Sequence, residues 1–316
     1  MRIFSPVLLP ACLLLLSGSG AARAADADFN GRWDILLLSE NADKAWWLEV
    51  SGAGTPAVKG KFIGFPGGDL NEIKDPRIED HQLLFSFENQ SGRRDYRIKY
   101  AGGHLDGQMT GPGGPIPFTG YRAPLIRDHD DATWLKATPL TLFNGKDLEG
   151  WTGLGRNENL GWTVEDGVLK STGHAKNLVT TGKYWNFILR LEYNVAEKSN
   201  SGIGLRGRYE VQIQDDFGKP VESHINGALY SRIPPAVNAS RKAGEWQTVE
   251  IRIVGRDVSV TLNGKAVITK KQVEGLTAIA YDPWEGQPGS IELQGDHGPV
   301  SFRNITLTPL FQPQAQ

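Results

Sequence analysis

Residues 246–268 read WQTVEIRIVGRDVSVTLNGKAVI. Apolar and polar residues alternate along this stretch, the period of a strand that buries one face. Compact hairpin signals interrupt it at VGRDV and at LNGKAV. Working outward, FILRLEYNV (187–195), GIGLRGRYEVQIQD (202–215) and SFRNITLTPL (301–310) alternate in the same way, and GWTVEDGVLKST (161–172) carries a DG turn. Roughly a dozen strands with no helical stretch between them predict a two-sheet jelly roll, a concanavalin A-like sandwich, over residues 140–311. Such a sandwich curves, and polar residues between the apolar ones line its concave face.

Residues 27–123 form a second unit of shorter strands, among them AWWLEV, KGKFIG, QLLFSF, RDYRIKY and HLDGQMTG. Clusters of Gly, Pro, Asn and Asp separate them. A small antiparallel β-barrel-like domain is the economical solution, because closure removes exposed edges. No carboxylate pair, histidine cluster or phosphate loop occurs in it; His81 and His104 are isolated. Residues 124–139 (PLIRDHDDATWLKATP) break the alternation and read as a solvated linker with at most one helical turn. His129 stands there between two aspartates, but a flexible linker does not preorganise a metal shell.

The first 24 residues have the plan of a secretory leader: Arg2, an apolar run over residues 3–16, and small residues ending Ala22-Arg23-Ala24. Cleavage near Ala24 removes Cys12, the single cysteine, so the mature chain has no thiol nucleophile and no thiolate metal site. Periplasmic or secreted localisation follows, with no transmembrane helix in the mature protein. Without the leader, 32 basic residues face 36 acidic ones, a net charge near −4. That balance, with no basic run, excludes nucleic acid as the natural partner.

Candidate chemistry concentrates in the second unit. Alternation in FILRLEYNV puts Phe187, Leu189, Leu191 and Tyr193 in the core and Glu192 on a polar face. In YEVQIQD, Glu210 and Gln212 project together. Arg206 ends the preceding strand, and Asn200 sits in the turn entering it, a turn residue first and a ligand contact second. Tyr230 either packs or donates to a sugar. His297, in QGDHG beside Gln294, is flanked by glycines that allow close approach and is of the residue type suited to base chemistry near neutral pH, or else caps a tight turn. His174 and His224 read as exposed loop histidines. Laminarinase-like glycosidases carry E-x-D-x-x-E on one strand; here the pattern is Glu210-x-Gln212-x-x-Asp215, with the middle carboxylate lost. Glu192 and Glu210 on neighbouring strands would restore a pair for ordinary hydrolysis. With Gln212 they also form an oxygen donor set suited to Ca²⁺ or Mg²⁺, although no spacing establishes a metal.

LFNGKDLEGW, SNSGIGLRGRYEVQIQD, NGALYSRIPP, GEWQTVEIRIVG, LNGKAVI and LQGDHGPVSFRNI occur in that order between Leu142 and Pro309. This series resembles the 3-keto-disaccharide hydrolase family, and TAIAYDPWEGQPG departs from it before the last motif. The resemblance implies a concanavalin-like fold and cleavage of glycosidic bonds in sugars already oxidised at C3 by a separate sugar 3-dehydrogenase. Glu192, Glu210 and His297 are then the candidates for base or metal ligand. Asn200, Arg206, Gln212, Tyr230 and Gln294 are the candidates for substrate contacts, with Arg206 facing anionic charge. Two other readings stand beside it: a conventional glycoside hydrolase, and a non-catalytic glycan-binding module using Trp151, Trp162, Trp185, Trp246 or Trp284 as platforms.

Overall fold

The computed structural model describes residues 26–38, 44–64, 67–90, 92–155 and 160–312, so the expected leader over residues 1–24 lies outside the described residues. Turn-forming Gly, Asn and Asp divide the first part into β1 (Gly31–Leu37), β2 (Ala45–Ser51), β3 (Lys59–Gly64), β4 (Gly67–Glu72), β5 (Lys74–Glu79), β6 (Gln82–Asn89), β7 (Gly92–Ala101), β8 (His104–Gly111) and β9 (Gly114–Arg122). They make one antiparallel sheet in the order β4-β3-β2-β1-β9-β8-β7-β6-β5. Its edge strands β4 and β5 are consecutive in the chain, and the sheet curls into a nearly closed barrel. Trp33, Trp46, Phe62, Phe85, Tyr96 and Phe118 fill the interior, with Phe85 stacked on Tyr96 at 4.6 Å. Burying rings of this size is the main driving force available to so small a unit.

The second part comprises β10 (Leu135–Lys136), β11 (Leu140–Thr141), β12 (Trp151–Gly153), β13 (Trp162–Glu165), β14 (Val168–Gly173), β15 (Leu178–Thr180), β16 (Phe187–Val195), β17 (Asn200–Leu205), β18 (Tyr209–Gln214), β19 (Gln247–Val254), β20 (Asp257–Leu262), β21 (Lys265–Gln272), β22 (Glu292–Leu293) and β23 (Gly298–Phe311). One sheet runs β13-β14-β23-β16-β19-β20-β21, with β10 and β11 also on β23. The other has five strands, β12-β15-β22-β17-β18. Leu189, Leu191, Ile203, Val211, Ile251 and Phe302 belong to the core the two sheets enclose. The hairpin signals act as read. Asp166-Gly167 and Asn263-Gly264 both take positive φ (51° and 76°, 50° and 77°), the requirement of a type I′ turn between right-twisted strands.

Residues 124–139 are exposed or half-buried along their whole length, and no helical turn forms there. The Asp128 carboxylate accepts from Trp185 Nε1 at 2.8 Å and Asn186 Nδ2 at 2.7 Å, and Asp130 pairs with Arg252 at 2.7 Å. The charge cluster is therefore the strap that fixes the segment to the sandwich. Barrel and sandwich also meet directly. Ala45, Trp47 and Ile63 pack on Leu276 and Ala280, and Ala45 N–H donates to Ala280 O at 3.1 Å. Asp34 of β1 pairs with Arg208 of the β17–β18 turn at 2.8 Å, both buried. No helix among the described residues is long and apolar enough to cross a membrane.

Candidate active site

Alternation sorts the five-stranded sheet into two faces. Leu178, Leu293, Ile203, Leu205, Val211 and Ile213 enter the sandwich core. The opposite parity faces away from it, and register builds that face in rows. Val179, Glu292, Gly204 and Glu210 align across β15, β22, β17 and β18. In the next row Gly202 pairs with Gln212, and Gln294 N–H donates to Gly202 O at 3.0 Å. Asn200 and Gln214 form the third. Asn177, just before β15, donates to Glu292 Oε1 at 2.8 Å.

Two glycines give this face its shape. A Cβ at Gly204 would lie 2.6 Å from Glu292 Cβ, and one at Gly202 would strike the Glu210 carboxylate. Glycine weakens a strand interior; here it leaves both carboxylates room over the strand that separates them. Two interstrand spacings put their backbones about 10 Å apart.

Burial controls the charge of the pair. Glu210 is 3% exposed and Glu292 0%. Loss of water pushes each carboxyl up to about 8; at Glu292 the Asn177 hydrogen bond opposes this, the Glu210 charge adds to it, and Lys44 opposes it at both. Two coupled acids titrate as a pair, and this one gives up its protons well above the ordinary carboxylate range. Glu292 Oε2, Gln212 Oε1 and Gln294 Oε1 are buried and accept no hydrogen bond among the described residues. Unsatisfied acceptors are rare in native interiors, and three on one sheet face mark a surface made to receive donors.

A cavity of about 520 Å³ adjoins this region; Asn177 and Gln294 belong to its lining, whereas Glu210, Glu292 and Gln212 are buried outside it. The sheet side contributes Asn177, Gln294, Asp296 and His297, the segment 277–280 forms a wall, and the barrel contributes Lys44 and Trp46. Its size suits a small ligand. The His297 imidazole lines the cavity and pairs through Nδ1 with Asp296 at 2.5 Å, while its carbonyl accepts from Asn200 N–H at 3.1 Å. Tyr230 is half-buried, packs edge-on against His224 at 4.7 Å, and its N–H donates to Glu210 O at 3.0 Å. Burial, with the charges of Asp69, Glu210 and Glu222, raises the Tyr230 hydroxyl pKa and keeps it a neutral donor. His224 is no isolated loop histidine: it bridges Glu222 at 2.9 Å and Asp69 of the barrel at 3.1 Å.

Other expectations are corrected. Glu192 belongs to the larger sheet, where a register shift in β16–β23 brings Arg303 to one of its oxygens at 2.7 Å and Asn304 to the other at 2.7 Å. It is fully partnered, and it neither pairs with Glu210 nor shares an ion with Glu210 and Gln212. Arg206 has φ 57° in the β17–β18 turn; its guanidinium lies 4.3 Å over Trp185 and donates to Gly255 O, away from the polar face. Burial lowers its pKa to about 10. Asp215 accepts from Lys198 N–H at 2.9 Å and supplies no second carboxylate. Trp151 and Trp162 are buried in the core, Trp246 lies under Arg303 at 3.9 Å, and Trp284 packs on Tyr121 at 5.0 Å; the tryptophan on the cavity is Trp46. Sequence reasoning missed Glu292, although IELQ repeats the E-x-Q spacing of YEVQ.

The glycine floor is testable. Gly202→Ala displaces only the flexible end of Glu210, so the fold is expected to survive with a melting midpoint within a few degrees. Turnover is expected to fall about a hundredfold, the usual cost of a catalytic group misplaced by about an ångström. An unchanged rate would remove Glu210 from the site.

Residues 138–308 match the 3-keto-alpha-glucoside-1,2-lyase-like domain. A curated 3-keto-disaccharide hydrolase of Bacteroides thetaiotaomicron is 27% identical over 228 residues, covering 54% of this chain and 78% of that protein. Two crystal structures of proteins assigned as glycosyl hydrolases, from Parabacteroides distasonis ATCC 8503, are each 27% identical. They cover 58% and 55% of this chain and 90% and 100% of theirs, with TM-scores of 0.47 and 0.45. The matched region takes in both E-x-Q strands, both floor glycines and His297, which is more than half of the chain, and the protein accordingly belongs to the 3-keto-alpha-glucoside-1,2-lyase-like domain family.

Proposed function

We propose that this protein is exported and cleaves the glycosidic bond of a sugar oxidised at C3. The supporting observation is the Glu210–Glu292 pair, two buried carboxyls raised to about 8 beside three unsatisfied acceptors. A ketone at C3 acidifies the proton on C2. The ionised carboxylate, assigned to Glu210, removes that proton, and the electron pair forms the C2=C3 enolate. Collapse of the enolate expels the C1 oxygen, and the protonated carboxyl, assigned to Glu292, supplies the leaving group's proton. Water adding at C1, with a proton returned to C2, completes a net hydrolysis; without that step the product is an unsaturated ketone. Gln212, Gln294, Asn177, Tyr230 and His297 hold the sugar hydroxyls. Asn200, one row further along the face, is an outer contact.

The substrate must be supplied by an enzyme that oxidises a sugar hydroxyl at C3. A hard divalent cation such as Ca²⁺ also suits this face: Glu210, Glu292 and the amide oxygens of Gln212 and Gln294 are oxygen donors. Bound there, it would polarise the substrate ketone. Export, to the periplasm or beyond, rests on residues 1–24 alone.

The test is incubation with a 3-keto-disaccharide and with its unoxidised parent, in ¹⁸O-water, with and without chelator. Aglycone release from the keto sugar alone is expected, and label at C1 separates hydrolysis from elimination. Release from the parent would establish conventional hydrolysis by the two carboxylates. Saturable binding without release would make the domain a glycan-binding module. Chelator-sensitive release would establish the metal.

A further inference from the structure

The family match begins at residue 138 and leaves the barrel without a role. Yet the barrel forms part of the cavity wall. Lys44 and Trp46 share parity at the start of β2, and both line the cavity opposite Asn177, Gln294 and His297. Lys44 is held in place by its neighbour: Ala45 packs in the interdomain cluster and donates its N–H to Ala280 O at 3.1 Å. The barrel approaches there backbone to backbone, since any Cβ on Gly68 would overlap Ala278.

We propose that the barrel is a working part of the active site and that Lys44 is its catalytic residue, setting a positive charge where the enolate oxygen of a 3-keto sugar develops. The sandwich face offers acids, amide groups and the Tyr230 hydroxyl, and a fixed positive charge would add to the stabilisation of an enolate. Arg206, the cation expected from sequence, points elsewhere, and Arg208 is committed to Asp34. Lys44 is solvent-exposed and lines the cavity. The Glu210–Glu292 pair also faces Asp296, His224, Asn177, Tyr230 and Tyr281. All of these stay in place when only Lys44 is changed.

This inference rests on the keto-sugar reading, and its test separates the two. Full-length wild type, Lys44→Met and Lys44→Arg are compared on a 3-keto-glycoside. Lys44→Met is expected to lower kcat at least about tenfold with a smaller change in KM. It should also move the rising limb of the pH profile upward, and Lys44→Arg should restore most of the rate. Wild-type protein inert on keto sugars would overturn the proposed function. An unchanged kcat in Lys44→Met would overturn the role of Lys44.

Discussion

Glu210→Gln is expected to lower kcat/KM on a 3-keto-glycoside about a thousandfold, within the range lost when a positioned general base is removed. The same substitution should make the protein more stable above neutral pH. The sign follows from the raised carboxyl pKa of about 8 against an ordinary value of 4.5. Below about 4.5 the group is neutral folded and unfolded, and its titration costs nothing. As pH rises from 4.5 to about 8 the unfolded chain ionises while the folded site resists, and stability falls. Above about 8 the penalty is constant. A neutral glutamine of the same shape escapes it, so the gain is largest at pH 8 and above, of the order of a few kcal/mol. Thermal denaturation at pH 5 and pH 8.5, beside steady-state kinetics, checks both halves. A variant that loses activity and stability together would mean that Glu210 is structural.

The pH dependence of the wild type follows from the same pair. The working form carries one proton on two carboxyls, so kcat/KM should trace a bell centred near 8. Removing Glu292 should abolish the alkaline limb, because one ionising carboxyl then remains.

Most of the fold was legible because strand alternation and turn chemistry are local. Asn263-Gly264 and Asp166-Gly167 announced their hairpins, and AWWLEV through HLDGQMTG announced barrel strands. The site was legible only in half. Glu210 and Gln212 share a parity that any strand reading finds, and His297 and Gln294 stand out in the glycine-flanked QGDHG turn. Which strand lies beside which is not local. Glu192 has the same alternating context as Glu210, and only sheet order separates them: β16 joins β23 and β19, whereas β18 joins β17. Glu292 sits on a two-residue strand too short to show a period, so only its E-x-Q spacing hinted at it. Lys44 belongs to the other domain, and no sequence pattern reports how two domains dock. The anchoring of the aspartates near residue 130 was hidden for a related reason: their indole and arginine partners stand 57 and 122 residues away in the chain.

The domain joint carries the second large effect. Asp34 and Arg208 are 3% and 1% exposed, and Arg208 also donates to Pro283 O at 2.6 Å and to the carbonyls of Asp282 and Gly275 at 3.2 Å. Next to them Arg256 grips Glu285 at 2.6 Å, and Tyr209 donates to Glu285 at 3.0 Å. Burial would raise the Glu285 carboxyl, but those bonds and the charges of Arg208 and Arg256 hold it below its ordinary value. Asp34 has one arginine against the same desolvation and the Glu285 charge, and its pKa is raised. Asp34→Ala leaves the Arg208 guanidinium buried without its carboxylate, a loss of about 3–5 kcal/mol. Because Asp34 belongs to the barrel and Arg208 to the sandwich, the cost falls on docking. Calorimetry should show a lower midpoint or two separated transitions, and protease should cut within residues 123–134. Turnover should fall as well, since undocking withdraws Lys44 and Trp46 from the cavity. Pairing Asp34→Leu with Arg208→Met should recover most of the stability, because exchanging both ions for apolar groups removes the desolvation cost along with the attraction. Asp34→Ala with an unchanged melting midpoint would mean that the remaining contacts, the apolar packing on Leu276 and Ala280 and the Asp69–His224 pair among them, hold the barrel, and that this ion pair contributes nothing to the joint.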